Sequence, residues 1–287
     1  VTKNKFIDFN PTISLDAKKL AFVSDRSGNR DIFIADLEWL DGHTQWIAKN
    51  LTNITNSSEN DWTPAFSPIA NQIIFSTYFP ENDNYDIFIM NDDGTQKENL
   101  TNTTSYEKFP QFSPDGSFII YQGWQKGKME IFFLSLLDRN NINITRNVNS
   151  NDIISHGNSF YPNGESIVFT SDRDGDRNIY IMKINGTNLE KLTTHESNDY
   201  EPTFSPDGQK IVFTSERDGN KEIYVVDLFS KNVRNLTNNP SDDWNPRFYP
   251  DGQKIVFQTN RDGNWEIYMM NINGEGQTNL TNHPSTD

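Results

Sequence analysis

Short apolar runs, each closed by polar turn residues, recur from one end of the chain to the other. In the stretch 202–237 the pattern predicts four strands. Residues 202–205 form the first, ending at the turn Pro206-Asp207-Gly208, and Lys210–Ser215 the second, followed by Arg217-Asp218-Gly219-Asn220. Glu222–Asp227, rich in β-branched and aromatic residues, is the third, and the polar segment 234–237 the fourth. Asp-Gly and Asn-Gly pairs mark the reversals, because glycine accepts the positive φ that a tight hairpin demands. Ile211-Val212-Phe213 and Ile255-Val256-Phe257 are apolar without alternation, as in a strand covered on both faces. Asn235-Leu236-Thr237 and Asn279-Leu280-Thr281 are half polar, as in a strand facing water. No stretch carries the stripe of an amphipathic helix.

This four-strand unit repeats. The run Asp199-Tyr200-Glu201-Pro202-Thr203-Phe204-Ser205-Pro206-Asp207-Gly208 returns 44 residues later as Asp243-Trp244-Asn245-Pro246-Arg247-Phe248-Tyr249-Pro250-Asp251-Gly252. Earlier copies begin at Asp8, Asp61 and Glu107, and a degenerate one at Ser155 is fixed by the Phe160-Tyr161-Pro162-Asn163-Gly164 that follows. The spacings are 53, 46, 48, 44 and 44 residues, and Asp287 stands where a seventh copy would start. Four-stranded units repeated at about 40–50 residues match the blade of a β-propeller, whose stacking covers both faces of each small sheet. A β-solenoid has shorter repeats and a sandwich has none. The expected fold is therefore all-β: one six-bladed propeller domain over residues 1–287, with repeats at approximately 8–60, 61–106, 107–154, 155–198, 199–242 and 243–287.

The signatures Asp-x-x-Pro-x-Phe-Ser-Pro-Asp-Gly, Ser-x-Arg-Asp-Gly-Asn-x-Glu-Ile-Tyr and Asn-Leu-Thr make the chain resemble the TolB-type β-propeller repeat family across essentially its whole length. The resemblance implies the propeller fold strongly and function weakly, because the repeat also occurs in stand-alone secreted or periplasmic proteins and in propellers attached to peptidases. It implies a periplasmic or secreted setting and allows Ca²⁺ or another divalent cation in the channel, with no cofactor certain. The N-terminal α/β domain that precedes the propeller in TolB itself is absent from this sequence. Val1-Thr2 share the phase of Leu236-Thr237, so the first residues are expected to lie alongside the last blade or to be a remnant. A chain starting without Met fits one trimmed of a leader.

Composition narrows the function. The 287 residues carry 25 basic against 40 acidic side chains, a net charge of −15, which argues against nucleic acid as a partner. No run approaches the roughly 18 apolar residues of a membrane span. There is no cysteine, hence no disulfide, thiolate metal site or thiol nucleophile. Twenty Phe, 10 Tyr and 6 Trp are too many for a disordered chain, despite only 34 % hydrophobic residues.

Three constellations are candidates for chemistry. Asp8, Asp61, Glu107, Asp199 and Asp243 share one repeat position, which places them in a ring about one end of the channel, with Trp62, Tyr200 and Trp244 beside them. They would hold a cation or a basic peptide, or else cap their own turns and pair with Arg26, Arg173, Arg217 and Arg261; the second reading is favoured for a residue present in nearly every blade. Asp172, Asp174 and Asp176 resemble the start of a Ca²⁺ loop but lack its distal bidentate glutamate, and the counterparts 216–220 and 260–264 favour a plain hairpin. Among the histidines, His43, His195 and His283 are scattered, while His156 replaces the aromatic near the channel mouth and is the one candidate base. No nucleophile elbow, His-Glu-x-x-His or phosphate loop is present. The third constellation is a departure from the repeat: Tyr78 and Phe79 in blade two and Trp124 in blade three replace the Arg hairpin, and either project beside the acidic ring or, for Tyr78 and Trp124, fold back over neighbouring blades in place of the missing Arg. Blade one lengthens its outer hairpin with Trp39, Gly42 and Trp46, expected to pack locally.

These features point to a monomeric, non-enzymatic binding module whose channel face meets a protein or peptide, its basicity suggested by the net charge. The alternatives are a hydrolase or lyase acting on a saccharide or peptide at the channel mouth, and a gating propeller of a larger peptidase.

Overall fold

The computed structural model describes residues 6–39, 46–145 and 154–281, which form six antiparallel sheets of four strands each, with no α-helix. Blade one is β1 (Asp8–Ile13), β2 (Lys19–Ser24), β3 (Asp31–Trp39) and β4 (Trp46–Asn53). Blade two is β5 (Asn60–Phe66), β6 (Gln72–Phe79), β7 (Asn84–Asn91) and β8 (Glu98–Asn99). Blade three is β9 (Glu107–Phe112), β10 (Phe118–Gln125), β11 (Lys128–Ser135) and β12 (Asn141–Asn143). Blade four is β13 (Ile154–Phe160), β14 (Ser166–Asp174), β15 (Asp176–Lys183) and β16 (Glu190–Lys191). Blade five is β17 (Asp199–Phe204), β18 (Lys210–Ser215), β19 (Glu222–Asp227) and β20 (Val233–Asn235). Blade six is β21 (Asp243–Phe248), β22 (Lys254–Thr259), β23 (Glu266–Asn271) and β24 (Thr278–Asn279). The first strand of each blade contacts the first strand of the next, around the full circle from β1 to β21 and back, so these six strands line a central channel. This is the six-bladed propeller that the repeat predicts.

The apolar runs of β2, β6, β10, β14, β18 and β22 are buried on both faces because each blade packs against two others. Every hydrophobic cluster straddles a joint. Ile73 and Phe75 of blade two meet Ala21 and Ile32 of blade one, and Val212 and Ile223 of blade five meet Ile255 and Phe257 of blade six. Each such fully buried Ile, Val or Phe side chain stabilises the fold by about 1.5–3 kcal/mol. The joint that closes the ring is built the same way, with Leu20 and Phe22 against Val256 and Met269. Blade six draws all four strands from one stretch, 243–279, so closure uses no shared strand among the described residues. Asp8 N–H donates to Trp265 O at 2.8 Å, as Asp61 N–H donates to Arg30 O and Asp243 N–H to Lys221 O at the other joints. Tyr249 adds a hydroxyl bond to Ala17 O at 2.7 Å. The expected placement of Val1-Thr2 lies outside the described residues.

Strands two and three of blade five have the bounds the sequence predicts; the first and fourth do not. β17 starts three residues earlier than expected, because the Asp-Tyr pair before the proline already lies in the ladder, at Asp199↔Ser215 and Tyr200↔Thr214. The next partner is Thr203↔Val212, so one extra residue bulges out. An irregularity at the same place recurs in all six first strands, with one extra residue in five of them and two in blade four. Its cause is at the third repeat position, where Asn10, Thr63, Phe109, Gly157, Glu201 and Asn245 all hold a positive φ. A proline follows in five blades, tolerated because a bulged edge strand needs no donor there. At the outer edge, β20 ends at Asn235 because Thr237 leaves the ladder and its hydroxyl, in place of a carbonyl, accepts from Ile223 N–H at 3.0 Å.

Candidate functional site

The hairpins joining second to third strands stand at the end where the first strands begin. The five ring carboxylates lie there too, but inside the blades. Asp8, Asp61, Asp199 and Asp243 have no exposed surface, and Glu107 is buried. Arg26, Arg217 and Arg261 fold back from their hairpins to bond them, with closest Nη2 distances of 2.8, 3.2 and 2.9 Å respectively. Each guanidinium also lies over two rings of its own blade, such as Phe213 and Tyr224 under Arg217. Blades two and three lack this arginine. There Asp61 accepts from Thr77 at 2.7 Å and Glu107 from Thr103 at 2.9 Å. Burial, uncompensated by a cation, pushes the Glu107 carboxyl up to about 7. In blade four Arg173 bonds Ser171 and stacks on Phe169 and Tyr180.

What lines the channel mouth is a cavity of about 260 Å³. Its walls are aromatic: Phe9, Trp62, Tyr85, Phe109 and Trp244. Asn10, Thr63, Lys108, Glu201 and Gln258 supply the polar surface. The bulge explains this set, because an extra residue reverses the side-chain alternation and turns the third repeat position toward the axis. Asn10, Thr63, Phe109 and Glu201 all reach the cavity from that position. Repeat reading singled out the first and second positions and passed over the third. The available signal was that the third changes chemistry from blade to blade while its neighbours repeat. Glu201 is almost fully buried and burial pushes it up to about 7, against the opposing charge of Arg247. Among the described residues, its Oε2 and the Nε1 of Trp62 have no hydrogen-bond partner.

Around the cavity runs a rim of cations, each laid on an aromatic ring of an adjoining blade. Arg30 of blade one stacks 4.2 Å from the Trp62 ring centre in blade two. Lys221 of blade five lies 4.0 Å from Trp244 in blade six, and Arg177 of blade four lies over Tyr200 in blade five. Between blades two and three the roles swap, and Lys108 sits 3.8 Å from Tyr85. Trp62 and Trp244 thus face both the cavity and a joint, whereas Tyr200 is buried against Trp244.

The remaining candidates separate. Tyr78 folds onto Tyr85 at 4.7 Å and donates to Asp83, and Phe79 packs on Phe88. Trp124 is exposed on β10 and is not among the cavity-lining residues, though its backbone N–H donates to Tyr106 O beside Glu107. Asp174 accepts from Tyr180 and pairs with Lys191, Asp176 O accepts from Asn178, and Asp172 O accepts from Gly175 N–H across their hairpin. Among the described residues no three His, Asp or Glu side chains gather in a group able to hold a metal ion. Ser155 and His156 lie on β13, their side chains outside the described part, as are those of Trp39 and Trp46. His43, Gly42 and His283 lie outside the described residues entirely, and His195 accepts from Ser197 N–H in an outer loop.

The TolB beta propeller domain model matches residues 142–221 and 202–287, just over half of the chain. A TolB homolog of Chlorobium chlorochromatii is 30 % identical over 137 residues, covering 48 % of this chain and 29 % of that protein. The matched stretch is thus less than a third of that relative's length. TolB from Acinetobacter baumannii superposes with a TM-score of 0.75 at 26 % identity, over 92 % of this chain and 63 % of that one. Oligogalacturonate lyase from Vibrio parahaemolyticus has a TM-score of 0.62 at 13 % identity, over 93 % and 91 %, a likeness of fold alone. By repeat, by blade geometry and by the extent of the domain match, the chain belongs to the TolB β-propeller family.

Proposed function

We propose that this protein is a non-enzymatic binding module that presents its channel mouth to a protein or peptide partner, in the periplasm or outside the cell. The observation that carries the reading is the aromatic cavity itself. Its walls come from five blades, so the pocket exists only in the closed ring. Aromatic walls around a few polar groups anchor side chains well, because large rigid surfaces are desolvated at small entropic cost. The lining set holds no nucleophile beside a base: Thr63 bonds Ser76, Lys108 stacks on Tyr85, and Glu201 faces Arg247. Kinship with TolB proteins, two of which are named for the Tol-Pal system, supports a protein partner.

Photo-crosslinking tests this. A photoreactive residue replacing Thr63 at the cavity should trap a discrete protein adduct in an extract of the native envelope. One replacing Phe229, which is 98 % exposed on the opposite face, should not. Equal labelling at both positions, or none at Thr63, would overturn the proposal.

A further inference from the structure

We propose that blade three binds an alkylguanidinium ion, held between the Tyr121–Phe132 ring pair and the carboxylate of Glu107. None of the three lines the channel-mouth cavity, so the site is independent of the protein-binding reading. The repeat defines it. In every blade an aromatic residue of the second strand stands beside one of the third, and in five blades a cation lies over both rings. Arg26, Arg173, Arg217 and Arg261 do so from the hairpin, and Lys97 does so in blade two, at 4.5–5.6 Å from the ring centres. The blade two hairpin has no arginine, yet a lysine from the opposite side, just before β8, takes the same place and attracts Asp61. The ring pair and its carboxylate thus hold a cation whichever segment supplies it.

Blade three keeps the rings and the acid but supplies no cation among the described residues. Gln125 stands at the position of Arg217 and is exposed, its Oε1 accepting from Asn143 at 2.9 Å. Asn141, at the position of Lys97, bonds the Tyr121 hydroxyl. Gly123 replaces the serine or threonine that accepts from the arginine Nε in four other blades. Glu107 pairs with Gly123 across the strands as Asp199 pairs with Ser215, so its carboxylate enters at the same level. It is 4 % exposed, and its Oε2 has no hydrogen-bond partner among the described residues. Tyr121 and Phe132 stand 5.4 Å apart, against 5.8–6.3 Å in the five blades that carry a cation, so a ligand has only to restore the wider spacing. A buried carboxylate oxygen left unpaired is costly, and a cation that reaches it while lying on a ring face offsets that cost. A guanidinium suits these walls better than an ammonium, because it is planar and weakly hydrated, donating from its edge while its face covers a ring. Access is from the hairpin end, where Arg26, Arg217 and Arg261 keep 14–20 % of their side chains exposed and Trp124 is 44 % exposed.

Calorimetric titration tests this, with butylguanidinium as the probe, butylurea as its uncharged analogue, and an end-blocked Gly-Arg-Gly peptide. Butylguanidinium should bind the wild-type chain. Butylurea should bind about tenfold more weakly or worse, the factor that a hydrogen bond to a charged group supplies. Gln125→Arg gives the chain its own guanidinium at that place, so it should raise the melting temperature and weaken butylguanidinium binding by about tenfold or more. Glu107→Gln keeps the shape and removes the charge; it should weaken binding as much, and it decides the matter if Gln125→Arg folds poorly. Peptide binding as tight as that of the free ion assigns the site to an arginine borne by a protein, and binding of the free ion alone assigns it to a small solute. Three results overturn the proposal: no binding of butylguanidinium to the wild-type chain up to about 10 mM, equal binding of butylurea, and binding undiminished in either folded variant.

Discussion

Thr237 satisfies two groups that backbone pairing leaves over. Its hydroxyl accepts from Ile223 N–H and donates to the buried carboxylate of Glu222, while Asn235 Oδ1 receives Thr237 N–H. The arrangement recurs with Thr55, Thr145 and Thr281, and this is why Asn-x-Thr triplets end the blades. Asn235 spends its amide on Asp218, so the triplet is explained by the fold without any glycan. Thr237→Val keeps the shape and removes both bonds, leaving a buried N–H short of an acceptor. A buried group left so costs about 1–3 kcal/mol, and that is the expected loss of stability in urea unfolding. Thr237→Ser, which keeps the hydroxyl, should cost less than about 1 kcal/mol. Equal losses for the two variants would show that packing of the methyl, and not the hydroxyl, is what the position supplies.

At the scale of the hairpin, the arginine of Ser-x-Arg-Asp-Gly is joined to the first strand of its own blade. Arg217 binds the fully buried Asp199 and stacks between that carboxylate and the Tyr224 ring. Arg217→Ala should therefore cost about 3–5 kcal/mol, because it strands a charge in the interior. Adding Asp199→Asn should restore a large part, which calorimetric midpoints of the two variants would reveal. A loss under about 1 kcal/mol for the single variant would mean the pair behaves as an exposed one. The sequence made this pairing legible, since Asp and Arg recur in phase, and the blades and their turns were legible for the same reason. The bulge was not. Nothing in the polarity of Asp199-Tyr200-Glu201-Pro202 says that Glu201 adopts a positive φ, and that conformation decides which side chain faces the channel. Tyr78 left two directions open for a related reason: an inserted hairpin has no repeat to set its direction, and in the structure its ring lies against Tyr85 of its own blade.

For the whole ring the question is how a chain of net charge −15 keeps several carboxylates in its joints. Glu107, Glu201 and Glu266 are each pushed up to about 7, chiefly by burial, from an ordinary glutamate value of 4.5. Between those values the folded protein holds protons that the unfolded chain has released, so stability falls as pH rises through this window. Below it the contribution is fully present. Surface acids such as Asp16, Asp115 and Asp207 act in the opposite sense, since serine and backbone donors hold them low, and their contribution is lost only as pH falls below the usual carboxylate range. The two together place maximal stability near about pH 5, with a decline toward about pH 8. General repulsion among surface acids would give a decline of the same sign, so the slope alone does not distinguish them. Salt and substitution do: about 0.5 M salt screens exposed charges but not buried ones, and Glu107→Gln/Glu266→Gln removes only the buried pair. The expected outcome is a melting temperature that still falls with pH in high salt, and falls much less in the double variant. An unchanged slope in that variant would assign the dependence to the surface. Glu266 makes this a property of ring closure, because the carboxylate beside it is Asp8 of the first blade. Ionising Glu266 sets two buried negative charges across the one joint that no continuous chain spans, so with rising pH the Asp8 N–H bonded to Trp265 O should lose hydrogen-exchange protection before the amides of the other joints.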